Sequence, residues 1–241
     1  TGITASGTGA IGGLTIQDEG STVGTAGSIS CINFAGSAVA VTATTGSAGI
    51  ATVTITGGGF TPDSQQNLVA GGGAGAAKDA DTCFNIMLGC NSGAALNEGD
   101  NNVLIGKCSG EALTSGNSNV LLGTGAGCNL TTAAQTVIIG AEAGRRTTSQ
   151  DNSIMIGTQA GGNYFGGNGG SVMIGRGAGK GVSCNTGDRN TFIGTYAGAN
   201  NCSGSFNTFI GEGAGQHAGV NAGGIYIQSC CNVAIGYEAG K

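Results

Sequence analysis

Charge is what this 241-residue chain has least of: Asp, Glu, Lys and Arg together make up 9% of it. No basic cluster is larger than the pair Arg145–Arg146, and the net charge is −5, which leaves nucleic-acid binding without electrostatic support. Apolar runs stop at three or four residues, so no segment reads as membrane-inserting. Nine cysteines contain no CxxC pair, and the single histidine, His217, sits in a variable stretch that reads as solvated. Without a cluster of catalytic groups, metal ligands or a cofactor motif, the chain reads as neither an enzyme nor a cofactor carrier. The odd cysteine count leaves two readings open: small half-buried thiols, or disulfide staples within or between chains. The chain opens on Thr1 rather than Met, as a processed product or part of a longer protein does.

Glycine is what is abundant, with 52 residues. Collagen periodicity is missing, and aliphatic residues recur too often for a disordered Gly/Ser tract. Glycine costs backbone entropy, so a regular structure must offset it. That regularity is visible when the chain is aligned on the glycine of "IG". Nine copies follow, at Gly89, Gly106, Gly123, Gly140, Gly157, Gly175, Gly194, Gly211 and Gly236, at spacings of 17, 17, 17, 17, 18, 19, 17 and 25. A second glycine lies four residues after each, always preceded by Ala or Ser.

The unit is therefore Asn, three residues ending in Ile or Leu, a corner glycine, and a second corner at Ala/Ser-Gly. Seventeen residues are too few for a pair of helices and suit one coil of a parallel β-solenoid. The fold class expected is all-β: about nine 17-residue coils over residues 83–241, preceded by a small antiparallel β module. That module takes residues 1–60, where alternating β-branched segments predict about four strands serving as attachment, spacer or joint. Residues 61–82 read as a Gly-rich linker.

Stacked coils align equivalent residues in columns. Leu88, Ile105, Leu122 and their successors, with Ile86, Val103, Val120 and theirs, are expected to share the interior. Leu96, Leu113 and Leu130 suggest a further inward column, and Asn85, Asn102, Asn119, Asn190, Asn207 and Asn232 an amide ladder. By alternation the middle strand residue then points outward. That column is Met87, Leu104, Leu121, Ile138, Met155, Met173, Phe192 and Phe209, ending in Ala234. So large an apolar stripe predicts burial between chains, as an oligomer interface around a threefold axis.

"NVAIGYEAG", Asn232–Gly240, resembles the repeats of trimeric autotransporter adhesin heads, which form a left-handed parallel β-roll. "NTFIGTYAG" and "NTFIGEGAG", Asn190–Gly198 and Asn207–Gly215, resemble more closely the repeats of tail-fibre-like proteins of cyanophages and marine phages. The "LTIQDEGSTVG…ATVTI" stretch is also similar to a module of marine phage structural proteins. These resemblances imply a structural fibre at a virion surface or in an extracellular setting. They also imply homo-oligomers, trimers first, and host-surface glycan or protein as partner. A head-to-tail filament without a receptor role is the alternative, and a polysaccharide-degrading fibre the remotest.

Receptor contact is expected where loops break the 17-residue rule: Tyr164 and Phe165 in "GGNYFGGNGG", and Tyr226 in the long insertion 216–231. Exposed aromatics suit sugar faces, or packing against a neighbouring chain. "GTGAG", "GRGAGKG" and "GEGAG" mimic phosphate loops but lie in the repeat register, and Lys180 lacks the Ser/Thr that should follow it. Asp18–Glu19, Asp79/Asp81 and Glu98/Asp100 read as charged turns and solvated loops rather than acid/base pairs or calcium ligands. Cys230–Cys231 reads as two thiols or a vicinal disulfide.

Overall fold

The computed structural model describes residues 62–164, 169–181, 187–201, 204–217 and 230–240, together with four strands nearer the N-terminus. The chain divides into two compact units, Thr1–Phe60 and Thr61–Lys241. In the first, β1 (Gln17–Asp18) pairs antiparallel with β2 (Ser21–Thr22), and β3 (Val39–Ala43) with β4 (Ala51–Ile55). The expected four antiparallel strands are therefore present, as two pairs.

The second unit is a parallel β-solenoid. Its ten strands are β5 (Leu68–Ala70), β6 (Ile86–Leu88), β7 (Val103–Ile105), β8 (Val120–Leu122), β9 (Val137–Ile139), β10 (Ile154–Ile156), β11 (Val172–Ile174), β12 (Thr191–Ile193), β13 (Thr208–Ile210) and β14 (Val233–Ile235). Each hydrogen-bonds to the next in sequence, in register, to form one sheet. The first strand corrects the expected boundary: residues 61–82 are no linker. Leu68–Ala70 pairs with Ile86–Leu88 and opens an additional coil, "NLVAGGGAG".

Each coil is built from left-handed backbone at fixed places. The residue before the ladder position is left-handed in successive coils, as in Phe84, Asn101, Ser118, Gln135 and Asn152. Three extended residues follow, and then the corner glycine, with φ between +124° and +133° at all nine predicted corners. Gly106 shows why that column admits nothing larger. A Cβ there would lie 2.6 Å from the carbonyl carbon and oxygen of Gly123 in the next coil. Two further left-handed turns, such as Cys108 and Gly110, bring the chain around.

The interior is the reverse of the one expected from strand alternation. Met87, Leu104, Leu121, Ile138, Met155, Met173 and Phe192 are 0% exposed and Phe209 1%, all within the coil of their own chain. They are core residues, and the predicted oligomer interface is not formed by them. The flanking columns point outward: Ile105 is 38% exposed, and Ile154 and Ile193 each 36%. The physical reason lies in the ladder. Asn85 and Met87 are two residues apart and share a face, and the ladder amides are buried, so the middle residue goes in with them.

Three other columns complete the core. Ser92, Ser109, Ala126, Ala143, Ala160, Ala178, Ala197 and Ala214 are buried, where only a small side chain fits behind the corner. Leu96, Leu113 and Leu130 are also buried, as expected, and Thr147 and Tyr164 continue their column. Asn102 Nδ2 donates to Asn85 Oδ1 at 3.0 Å and to the Gly116 carbonyl at 2.8 Å, while its Oδ1 accepts from the Asn119 N–H at 3.0 Å. Asn67 begins this amide ladder, Thr136, Ser153 and Ser171 carry its position through the middle coils, and Asn190, Asn207 and Asn232 resume it. Phe192 and Phe209 stack at 5.4 Å and 9°, a pairing worth about 0.5–1.5 kcal/mol beyond their burial.

Candidate functional site

Two surfaces of the solenoid carry more than the fold requires. The first is the outer face of the ten-stranded sheet. β-Branched and Leu side chains alternate outward at the first and third strand positions, as Ile86/Leu88, Val103/Ile105, Val120/Leu122 and onward to Val172/Ile174. Neighbours above and below cover each one partly, leaving most half-buried. Thr191 and Thr208 are the only polar members of β12 and β13.

The second is a polar groove of about 620 Å³ on the turn side. It is lined by Glu111, Cys128, Asn129, Glu142, Arg145, Arg146, Gln159, Gly162, Asn163 and Lys180. These residues come together because coils repeat. Glu111, Cys128, Arg145, Gly162 and Lys180 are each the fifth residue after their corner glycine, one per coil. At roughly 4.8 Å per coil the groove runs about 19 Å along the stack.

Its wall is joined by hydrogen bonds between coils. Lys180 Nζ donates to Gln159 Oε1 at 2.6 Å, and Gln159 Nε2 donates to Glu142 Oε2 at 2.9 Å. Arg145 pairs with the other Glu142 oxygen at 3.4 Å. Further along, Asn91 Nδ2 donates to Glu111 Oε1 at 3.0 Å. The Cys128 thiol donates to the Arg145 carbonyl at 3.3 Å. Burial pushes this thiol's pKa up, so at neutral pH it is a thiol and not a nucleophilic thiolate.

Tyr164 is corrected: it is 0% exposed and fills the core beside the ladder, so it offers no ring to a receptor. Burial pushes its hydroxyl pKa up to about 12. Phe165 and Tyr226 lie outside the described residues, as do Cys31, Cys184 and Cys202. Cys83, Cys90, Cys108, Cys128, Cys230 and Cys231 are free thiols. The phosphate-loop mimics are coil corners: Gly175, Gly177 and Gly179 are left-handed, and Lys180 is engaged by Gln159. His217 is exposed in a turn.

The acidic residues hold loops together. Asp79 Oδ1 accepts from the Asp81 N–H, and Asp100 Oδ1 from the Cys83 N–H at 2.7 Å. Among the described residues no three His, Cys, Asp or Glu side chains gather as a metal site. Nor, among them, is any helix long and apolar enough to cross a membrane. The groove was not legible in the sequence as a cluster because equivalent members such as Glu111, Cys128 and Arg145 are 17 residues apart; the common offset of that column from the corner glycine was the available signal. Neither a family model, nor a curated protein, nor a solved structure matches this chain.

Proposed function

We propose that this protein is a structural fibre component of the tail-fibre kind, which self-associates through the outer face of its sheet and meets host-surface glycan or protein through its turn side. The observation that carries the reading is the pair of outward aliphatic columns along the solenoid. A side chain such as Ile154 still has 36% of its surface exposed. Burying that remainder is worth about 0.5–1 kcal/mol per residue, and on the order of 10 kcal/mol over both columns before association costs. An apolar strip of this length on a lone chain is unusual for a soluble monomer.

A second copy is the natural occupant. Side chains that repeat once per coil form a ridge with the strand spacing, and only a surface of the same spacing meshes with it along its length. Three such faces packed around a common axis would cover the columns, and a trimer is what the repeats' resemblance implies. A virion or extracellular setting follows from the same resemblance. No catalytic step, cofactor, nucleic acid or membrane insertion belongs to this reading.

Mass measurement in solution, with electron microscopy, tests it. A finite trimeric rod is expected, and Ile139→Glu with Ile156→Glu should yield folded monomers. A wild-type chain that is monomeric at micromolar concentration overturns the proposal, and an unlimited rod transfers it to the head-to-tail filament.

A further inference from the structure

The turn-side groove stands out on this chain by its charge. Three of the chain's eight Lys and Arg residues line it, Arg145, Arg146 and Lys180, against two carboxylates, Glu111 and Glu142. Among the described lining residues, three positive charges less two negative leave a local balance of +1, on a chain whose net charge is −5. The remaining polar lining is Asn129, Gln159 and Asn163, amides that both donate and accept. Among the described residues, no aromatic or aliphatic side chain lines the groove.

We infer that this groove binds a short acidic oligosaccharide. Its volume lies within the range of ligand clefts. Its length, five coils along the stack, suits an extended chain of sugars rather than one sugar. The guanidinium groups offer planar paired donors to a carboxylate or sulfate, and Lys180 a point charge farther along. Glu111, Glu142 and the amides match hydroxyl groups, which donate to carboxylates and exchange hydrogen bonds with amides. The chain Lys180–Gln159–Glu142–Arg145 is already hydrogen-bonded, so these groups are held in place before a ligand arrives. Asn163 is likewise fixed, donating to the Gly181 carbonyl at 2.9 Å. The inference rests on the fibre reading, for which it names the class of surface glycan.

Calorimetry and NMR titration of the full chain test it with three probes: a galacturonate tetramer, a sulfated galactan tetramer and a neutral galactose tetramer. At least one acidic probe binds, the neutral one more weakly by about tenfold or more, and added salt weakens the acidic complex. The carboxylated and sulfated arms distinguish the two sources of negative charge. Arg145→Ala with Arg146→Ala should weaken the acidic complex by at least about tenfold, the loss of a charge-assisted pair. Lys107→Ala, an exposed cation outside the groove, should change it less than twofold. Should the double variant fold poorly, Lys180→Met keeps the apolar stem and reads the same loss. Equal affinity for the neutral probe, no binding of either acidic probe, or equal losses at Lys107 and in the groove each overturn the inference. The fibre reading stands or falls separately on mass: a trimeric rod that ignores acidic sugars refutes only the groove, and a monomer that binds them refutes only the fibre.

Discussion

Gly106 and Gly125 differ in what stacking demands of them, and exchanging each for a larger residue separates stacking from backbone preference. At Gly106 φ is +132°, and an added Cβ would meet the Gly123 carbonyl carbon and oxygen at 2.6 Å and the Thr124 nitrogen at 3.1 Å. All three are backbone atoms of the next coil, so relief requires β7 and β8 to separate. Left-handed strain of about 1–2 kcal/mol adds to an overpacking cost of about 1–3 kcal/mol, giving Gly106→Ala a penalty on the order of 3–4 kcal/mol. At Gly125 φ is +67° and no atom lies within 4 Å of an added Cβ. The same coil position holds Asn91, Cys108, Glu142, Gln159 and Tyr196 in neighbouring coils, all left-handed. Gly125→Asn should therefore cost no more than about 1 kcal/mol. Because a solenoid unfolds in segments, amide hydrogen exchange resolved along the chain is the suitable assay. In Gly106→Ala, exchange should accelerate in β7, β8 and their adjoining turns, with Gly125→Asn close to wild type. Equal exchange in the two variants would refute the stacked-corner account.

Asn102→Ala leaves the Asn119 N–H and the Gly116 carbonyl without their buried partner, and should cost on the order of 3 kcal/mol in urea unfolding. Asn102→Thr should recover part of this, since Thr136 fills the same ladder position by donating to the Gln150 carbonyl. Met155→Ala should destabilise the fold by about 2–5 kcal/mol, whereas Ile154→Glu should cost only about 1 kcal/mol and act mainly on self-association. Tyr164 gives a pH test. Burial raises its folded pKa to about 12, so the stability linked to its neutral form is complete below pH 10 and is lost as pH rises towards 12. Tyr164→Phe should flatten the fall of melting temperature across that window.

Much of this architecture was legible in the sequence, because glycines that must be glycines are hard to mistake. The corners, the Asn ladder and the Leu96 column all sit where the spacing placed them. The direction of the strands was not legible from the aliphatic pattern alone, since Ile-Met-Leu is apolar on both faces. Chemistry held the missing information. Buried Asn fixes the inward face, Thr191 and Thr208 tolerate water, and the flexible Met and large Phe side chains fill the irregular core. The first coil was obscured by composition, because "NLVAGGGAG" has Ala where the other copies have Ile or Leu. Tyr164 was misplaced because its coil breaks the spacing, yet it replaces Leu in the core, where the ladder has the smaller Ser171 in place of Asn.

The chain's three methionines, Met87, Met155 and Met173, all lie in the column whose direction decides the account. Their methyl signals in a sample 13C-labelled at methionine and isoleucine methyls, read with a soluble paramagnetic agent, report that direction. The account predicts that all three stay protected whether the chain is assembled or dissociated, while isoleucine methyls such as those of Ile154 and Ile156 broaden on dissociation. Methionine methyls that become accessible when folded chains separate would put the column on the outside and contradict it.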